Sequence, residues 1–403
     1  MKKHSFVFAM IVCALGYFVD VFDIILFSAV RVSSLQHIGL SSEQITSVGL
    51  WLINIQVIGM LMGGVAWGIL GDKRGRISVL FGSILLYSSA TLANAYVTTV
   101  TQYAVLRFLA GFGLAGELGA AITLVSELMH KDKRGYGMMM IVVAGALGGL
   151  VGGLVGQYFS WQMAYLLGGI GGFTLLFLRM RVTESRVFMQ VKEKVDIKKG
   201  SLSLFFEVPS LSLVYLKCLL VGFPFWIFVG LFVAFAPELG ETFHVDIPIT
   251  VGQAMLFYCL GLAIGELSST LLSQYLKSRK KIILFFLGMT LIFSILFFSM
   301  KAMTSQLYYI FCTFLGLGSG FWVLFVMIAA EQFGTNIRAT VTTSLPNFVR
   351  AMVLPSAVLI SLLKPMIGIQ QSLGLVCIGS LLLAFLAAST LKETFSRDLE
   401  FIS

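Results

Sequence analysis

The sequence predicts an all-α membrane protein of about twelve transmembrane helices, and three observations lead to this fold class. Hydrophobic residues make up 58% of the 403 residues and charged residues only 12%, whereas a soluble domain carries about 25% charged residues. Long apolar segments recur along the whole chain, and a helix satisfies its own backbone hydrogen bonds in hydrocarbon. Basic residues gather in alternate connecting segments, which is typical of the cytoplasmic side of a membrane protein.

The apolar segments divide into two sets of six predicted helices around a polar centre. The first set spans 6–30, 45–70, 77–97, 101–128, 136–158 and 161–181. The second set spans 211–236, 249–276, 282–300, 305–330, 339–363 and 371–391. The longest polar segment, 182–210, lies between them and includes the charged run from Lys192 to Lys199. We therefore expect an N-terminal six-helix bundle at 1–181, a cytoplasmic linker at 182–210 and a C-terminal six-helix bundle at 211–403.

The distribution of Lys and Arg predicts the orientation. With the N-terminus inside, the outer segments contain only Arg31, Lys301 and Lys364, and all the basic clusters are cytoplasmic, as the positive-inside rule requires. The first apolar run follows Met-Lys-Lys but contains two aspartates and no small-residue cleavage site, so we interpret it as a retained helix. We expect a monomeric, multi-pass protein of the bacterial inner membrane with both termini in the cytoplasm.

A short charged run, Gly68 to Arg76, separates the second and third predicted helices. Such a polar run is unsuited to hydrocarbon, so we expect a tight loop at the membrane surface, with Asp72 and Arg76 free to pair with neighbouring helix ends. The pattern of Gly68, Asp72, Gly75 and Arg76 resembles the loop between helices 2 and 3 of the major facilitator superfamily of transporters.

Further stretches carry the same resemblance. The segment from Arg107 to Glu117, followed by Glu127 and Lys133-Arg134-Gly135, is similar to helix 4 and its loop in sugar porters and metabolite:proton symporters. The end of helix 6 is similar from Trp161 to Arg179 and at Glu184-Ser185, with Arg186 in place of the usual Pro. The segment from Glu331 to Thr340 resembles the matching loop after helix 10, with Gly334 where Pro is usual.

Two other stretches bear on the subfamily. Asp20-Val-Phe-Asp23 is similar to the Asp-Gly-x-Asp of aromatic-acid:proton symporters, with Val21 replacing Gly. The run from Gly145 to Gly153 resembles the antiporter motif of drug exporters, but Gly149 stands where that motif has Pro. Small residues that allow close helix packing are the simpler explanation of this run.

The resemblance implies two repeated six-helix halves that work by alternating access, an architecture for which this superfamily is a standard example. It also implies a set of cytoplasmic gating residues. We expect Asp72 to lie at the N-terminus of a facing helix, where the dipole favours a carboxylate. We expect Arg76 and the set from Glu127 to Arg134 to form exposed charge pairs of about 0–1 kcal/mol. These pairs would hold the halves together in an outward-open state; the alternative is that they only orient and solvate the loops. The gating set is Gly68, Asp72, Gly75, Arg76, Glu127, Arg134, Glu331 and Arg338.

Ionisable residues inside spans cost about 2.5–3.5 kcal/mol each and are functional candidates. Asp20 and Asp23 share one helix face, and mutual repulsion and burial would raise the affinity of the pair for protons. We predict proton coupling here; the alternative is that one acid locks helices together. Glu117 is either a second proton site or a helix-holding residue. Arg107 either binds a substrate anion or pairs with Asp20 or Asp23.

Pro346 and Pro355 flank Arg350 and predict an interrupted helix. Arg350 is therefore a candidate contact for a substrate carboxylate. The alternative is that Arg350 forms a helix-locking salt bridge, for which Glu266 is the nearest acidic partner. Polar and aromatic residues in other spans are candidates for the lining of a substrate pocket: Asn54, Gln56, Trp226, Gln253, Tyr258 and Trp322.

These observations predict a secondary transporter that takes up a small polar metabolite, coupled to proton entry. The substrate classes left open are organic acids, sugars, amino acids or osmolytes, and carboxylate siderophores. The alternatives are a proton-antiporting exporter of metabolites or drugs and a transporter-like sensor. We expect no enzyme activity, no metal, no nucleic-acid partner and no cofactor other than the coupling proton, because the sequence has no clustered His/Cys set, no nucleotide loop and no serine nucleophile motif.

Overall fold

The structure, a computed structural model, describes residues 3–180, 184–185, 188–190 and 198–403. Within these ranges eleven helical segments are long and apolar enough to cross a membrane. The last of them, Arg338–Thr390, is 53 residues long and has a non-helical residue, Gly368, with φ of 79°. Dividing that segment at Gly368 yields the two final predicted spans, and the all-α membrane fold of twelve helices is confirmed.

The helices are numbered here in chain order. The first group is α1 (Lys3–His37), α2 (Ser42–Arg74), α3 (Arg76–Asn94), α4 (Val100–Leu128), α5 (Arg134–Tyr158), α6 (Trp161–Arg179) and the short α7 (Ser203–Glu207). The second group is α8 (Pro209–Trp226), α9 (Ala236–Thr242), α10 (Val251–Tyr275), α11 (Arg279–Ser299), α12 (Ser305–Gly318), α13 (Trp322–Gln332), α14 (Arg338–Ala351) and α15 (Val353–Thr390).

The described chain divides into two compact units. Unit 1 comprises Met1–Glu207, Phe333–Asn347 and Asp398–Ser403, and unit 2 comprises Val208–Gln332 and Phe348–Arg397. In unit 1, α1 packs on α5, α2 on α4, and α3 on both α4 and α6. In unit 2, α10 packs on α12, and both α8 and α11 pack on α15.

Glycines bring the helices of unit 1 into backbone contact. A Cβ on Gly59 of α2 would collide with the carbonyl oxygen of Phe108 in α4. A Cβ on Gly148 of α5 would likewise collide with the carbonyl oxygen of Phe18 in α1. The glycine run of α5 therefore serves close helix packing, which is the simpler of the two explanations that the sequence allowed.

The prediction of a loop over Gly68–Arg76 is wrong. Helix α2 continues to Arg74, and only Gly75, with φ of 110°, separates it from α3. The helix persists because the carboxylate of Asp72 is buried and accepts hydrogen bonds from protein groups, so it does not need water.

Two other predicted segments differ in part from the structure. The helix predicted at 211–236 is α-helical only to Trp226 and continues as a π-helix over Ile227–Phe232, directly after Pro224, which lacks an N–H donor. The linker predicted at 182–210 includes α7, whereas Arg186 and the charged run from residue 192 to 197 lie outside the described residues.

Candidate functional site

The carboxylate of Asp23 is the centre of a buried polar site within unit 1. Arg107 of α4 places Nη2 2.5 Å from Oδ2 of Asp23, and both side chains are fully buried. Gln56 of α2 donates to the same oxygen at 3.3 Å, and Thr91 of α3 donates to Oδ1 at 3.4 Å. Three neighbouring helices thus supply donors to one aspartate of α1. Asp20, one turn earlier in α1, is also fully buried.

Aromatic side chains surround the Arg107 guanidinium. It lies over the ring of Phe27, 4.5 Å from the centroid, and 6.0 Å from the ring centroid of Tyr165. The hydroxyl of Tyr165 is hydrogen-bonded to that of Tyr103, which is also bonded to Ser34 at 3.1 Å. Arg107 was predicted either to bind a substrate anion or to pair with Asp20 or Asp23, and in the structure it pairs with Asp23.

Glu117 lies in a separate ion pair. Arg179 of α6 approaches it with both Nη atoms, at 2.9 and 2.5 Å, and Ser83 of α3 donates to it at 2.5 Å. All three side chains are buried. This two-point contact holds α3, α4 and α6 together, which corresponds to the helix-holding alternative for Glu117.

Asp72 binds the N-terminus of α14, as predicted. Its two carboxylate oxygens accept hydrogen bonds from the backbone N–H groups of Ala339 and Thr340, at 2.9 and 2.8 Å, and from the Thr340 hydroxyl at 2.7 Å. The contact is close because Gly68, one turn away, leaves room for the Thr340 backbone. A carboxylate at this position compensates both the free N–H groups and the helix dipole.

A first charge cluster, formed by Arg76, Glu127, Glu184, Ser185 and Phe188, adjoins Asp72. Arg76 and Arg338 both donate to Oε1 of Glu127 at 2.9 Å, and Ser185 donates to Oε2 at 2.5 Å. Arg76 lies over the ring of Phe188, 4.7 Å from its centroid.

The expectation of weak, exposed gating pairs is therefore wrong for these residues. The side chains of Arg76, Glu127 and Arg338 are fully buried. Breaking a buried pair by removing one partner costs about 3–5 kcal/mol, well above the 0–1 kcal/mol of an exposed pair. The backbone carbonyl of Ser126 accepts from Nε of Arg134 at 2.9 Å, so Arg134 is also held within unit 1.

A second charge cluster, in unit 2, is formed by Arg279, Glu331, Glu393, Thr394 and Phe395. It has the same set of an arginine, two glutamates, a hydroxyl residue and a phenylalanine, although Phe395 lies two residues after Glu393 and Phe188 four residues after Glu184. Arg279 Nε lies 3.7 Å from Glu331, and Thr394 donates to Glu331 at 2.6 Å. Arg279 lies over the ring of Phe395, 4.7 Å from its centroid. The connection between α10 and α11 thus has an arginine, Arg279, where unit 1 has Arg76, although Tyr275 stands where unit 1 has Asp72.

Two acids that cap helices in these clusters have opposite pKa shifts. Burial raises the pKa of Glu184, although it accepts a hydrogen bond from the N–H of Ile77. Burial also acts on Glu393, but hydrogen bonds from Ser278 and from the N–H groups of Arg279, Phe395 and Thr394 outweigh it and lower the pKa of that carboxyl.

An aromatic group in unit 2 contains three of the predicted substrate residues. The guanidinium of Arg350 lies over the ring of Trp226, 5.3 Å from its centroid. Trp322 packs edge-on against Trp226 at 6.2 Å and stacks on Phe225 at 4.4 Å. The predicted interruption near Arg350 is present, because α14 ends at Ala351 and α15 begins at Val353.

The other predicted pocket residues are dispersed. Tyr258 is buried and donates to Ser319 at 2.6 Å. Gln253 is exposed in the first turn of α10, where it accepts from Tyr309 at 2.5 Å. Asn54 is also exposed, on α2, whereas Gln56 belongs to the Asp23 site.

Sequence reasoning missed several residues of the buried sites, among them Thr91, Tyr103, Tyr165 and Arg179. A recognisable pattern was present in α3, where Ser83, Tyr87 and Thr91 recur every four residues and are all buried. A polar stripe at helical spacing in an apolar span indicates a face turned to polar partners rather than to lipid.

Both the helices and the buried charges define a multi-pass membrane protein of the transporter type. The model of the Major Facilitator Superfamily matches residues 13–354, and the chain belongs to that superfamily. Its fold is similar to that of the proton:xylose symporter XylE, with a TM-score of 0.77 and 16% identity over 99% of this chain and 98% of that one.

Two curated relatives are similar in sequence. The niacin transporter NiaP of Acinetobacter baylyi is 35% identical over 150 residues, which is 36% of this chain and 34% of that protein. The 4-hydroxybenzoate transporter PcaK of Pseudomonas putida is 29% identical over 190 residues, 46% of this chain and 41% of that protein. The matched regions thus span less than half the length of these relatives. Membership in a transporter superfamily also agrees with the expectation that the chain is not an enzyme.

Proposed function

We propose that this protein takes up a small aromatic carboxylate together with protons, by alternating access. The observation that carries the proposal is the buried pair of Asp23 and Arg107, 2.5 Å apart and further supplied with donors by Gln56 and Thr91. An ionisable residue inside a membrane span is costly, and for that reason it is a functional candidate.

The proton chemistry follows from charge balance in unit 1. While Asp23 is ionised, it compensates Arg107, and the pair attracts no further anion. A proton on Asp23 removes that compensation, and the guanidinium is left with a positive charge in a low-dielectric site. Proton loading therefore favours the binding of an anionic substrate, and loss of the proton restores the Asp23–Arg107 pair and favours substrate release.

The aromatic group of unit 2 supports the substrate class. Arg350 offers a planar donor set that suits a carboxylate, and the adjoining faces of Trp226 and Trp322 suit an aromatic ring. The named substrates of the relatives above, niacin and 4-hydroxybenzoate, combine a ring with a small polar or carboxylate group. A sugar, an osmolyte or a siderophore gains less from this combination.

The membrane and orientation belong to the same proposal. The asymmetric distribution of Lys and Arg supports a bacterial cytoplasmic membrane with both termini in the cytoplasm. Export by proton antiport is the opposite reading, and it predicts accumulation in inverted vesicles rather than in right-side-out vesicles. A sensor would bind substrate in both preparations and accumulate it in neither.

The test uses radiolabelled nicotinate and 4-hydroxybenzoate in right-side-out vesicles with an imposed pH gradient. The parent protein should accumulate at least one of them, and Asp23→Asn should abolish accumulation while preserving counterflow exchange. Glu241→Gln, at an exposed acid, is the matched control and should behave as the parent. Normal pH-driven accumulation by Asp23→Asn would remove the pair from the mechanism.

A further inference from the structure

Glu266 of α10 is a buried acid whose surroundings differ from those of Asp23 and Glu117. Glu266 is only 8% exposed and lies in a helix that is long and apolar enough to span a membrane. Asp23 and Glu117 each have an arginine at 2.5 Å. Among the described residues, by contrast, no cationic side chain pairs with Glu266 and no donor is hydrogen-bonded to its carboxylate.

The titratable groups around α10 do not compensate this charge. Tyr258 and Cys259, on the same helix, interact with Glu266 but are neutral groups. On the helices packed against α10, Arg279 binds Ser273 and lies near Glu331, and Tyr309 binds Gln253. Tyr308 packs among phenylalanine rings, and Cys312 is buried.

An isolated carboxylate in a medium of low dielectric is so costly that the group takes up a proton instead. We propose that Glu266 is a second proton-binding residue of the transport cycle, located in unit 2, which retains its proton while buried and releases it when water reaches α10. This inference depends on the proposed proton coupling.

The experiment measures how many protons accompany each substrate, from nicotinate accumulation in right-side-out vesicles as a function of the imposed pH gradient. Glu266→Gln mimics the protonated acid, so the variant should bind substrate with a Kd within a few-fold of the parent and should transport one proton fewer per substrate. Glu266→Asp keeps the function and should shift the pH profile. Glu241→Gln should change neither quantity.

The outcomes separate this inference from the proposed function. If Asp23→Asn loses accumulation and Glu266→Gln has the parent's proton number, only the inference on Glu266 fails. If Asp23→Asn accumulates normally, the proposed coupling itself fails. Dependence of the parent on sodium ions that is lost in Glu266→Gln would also overturn the inference, because the carboxylate would then hold a metal cation rather than a proton.

The segment Asp398–Ser403 lies along the start of α14 within unit 1. Thr335 donates its N–H to the carbonyl of Phe401 and its hydroxyl to the carbonyl of Leu399, both at 2.9 Å. The amide side chain of Asn336 binds the backbone N–H and carbonyl of Ser403, both at 2.9 Å. Gly334 donates its N–H to the Ser403 hydroxyl at 2.6 Å.

This segment also contacts the first charge cluster. Arg338 donates to the carbonyl of Leu399 at 2.8 Å through Nη2 and to Glu127 at 2.9 Å through Nη1. The ring of Phe401 lies 5.9 Å from the same guanidinium. The departure from the family pattern at Gly334 acquires a reason here: a proline would have no N–H for Ser403, and even a Cβ at this position would collide with the Ser403 backbone.

We infer that Asp398–Ser403 is a clasp that fixes Arg338 on Glu127 and so stabilises the contact of α14 with α2 and α4. Thr343 offers a reporter of that contact, because it is buried against Gly119 of α4. The cysteine of a Thr343→Cys variant, in a Cys259→Ser background that removes the exposed native thiol, should be alkylated several-fold faster when Gly334→Pro or Asn336→Ala releases the clasp.

Ser389→Ala, at an exposed residue of α15, is the control and should leave the alkylation rate unchanged. Asn336→Ala provides the same test if Gly334→Pro fails to fold, since it removes two clasp hydrogen bonds without altering the backbone. A rate equal to the parent's in the folded variants would overturn the clasp.

Discussion

The first and second charge clusters use similar residue types, yet they hold their arginines differently. In unit 1, Glu127 accepts from both Arg76 and Arg338 at 2.9 Å. In unit 2, Arg279 Nε lies 3.7 Å from Glu331, and Thr394 donates to that acid at 2.6 Å.

The source of the difference is one residue outside the clusters. Asp72, four residues before Arg76, binds the N-terminus of α14 and brings Arg338 next to Glu127. The corresponding residue before Arg279 is Tyr275, which is exposed. The charged residues of unit 1 thus form a tight helix clamp because an additional acid, Asp72, binds the N-terminus of α14.

The largest difference between the clusters should appear when their glutamates are neutralised. Glu127→Gln leaves the guanidinium groups of Arg76 and Arg338 buried with a neutral amide oxygen as acceptor in place of a carboxylate. We expect the free energy of unfolding to fall by about 3–5 kcal/mol. Glu331→Gln weakens a longer ion pair and should cost less. Thermal unfolding of both purified variants in the same detergent measures this, and equal losses of Tm would show that the two clusters are energetically equivalent.

Removal of the Asp72 charge should have an intermediate effect. Asp72→Asn has one acceptor oxygen for the donors of Ala339 and Thr340, and we expect a loss of about 1–3 kcal/mol at this contact. Transport should become slower while substrate affinity stays within a few-fold, because the substitution acts on a conformational contact. Tyr275→Phe, at the matching position of unit 2, is the control. A normal transport rate for Asp72→Asn would separate the clamp from turnover.

The smallest effect concerns the two capping acids and their pH dependence. The pKa of Glu393 is lowered from its ordinary value of 4.5, so its contribution to stability is present above that value and is lost as the pH falls through the lowered pKa. Glu393→Gln should therefore lower Tm at neutral pH by about 2–4 °C, and the deficit should close in acid.

Glu184 should behave in the opposite way. Its pKa is raised by burial, so its ionised form is disfavoured at neutral pH, and stability is gained as the pH falls through the raised pKa. Glu184→Gln should therefore cost less at neutral pH than Glu393→Gln, and its disadvantage relative to the parent should grow on acidification. If the Tm difference from the parent changed with pH in the same direction for Glu184→Gln and Glu393→Gln, the two capping acids would not differ as predicted.

The sequence by itself determined the membrane fold, the approximate spans and several of the charged residues that are buried inside them. Hydrophobicity over about 20 residues has one structural solution in lipid, namely a helix, and ionisable residues in such spans are conspicuous because they are costly. For this reason Asp23, Arg107, Glu117 and Arg350 could be selected before any contact was known.

Only the tertiary structure decided which charged side chains form ion pairs with each other. Arg107 pairs with Asp23 and Arg179 with Glu117, although 84 and 62 residues separate the partners, and helix packing rather than local spacing brings them together. The same holds for the Gly68–Arg76 run, whose polarity predicted a loop in water. It is helical because distant backbone N–H groups of α14 solvate Asp72, and local sequence carries no information about such a partner.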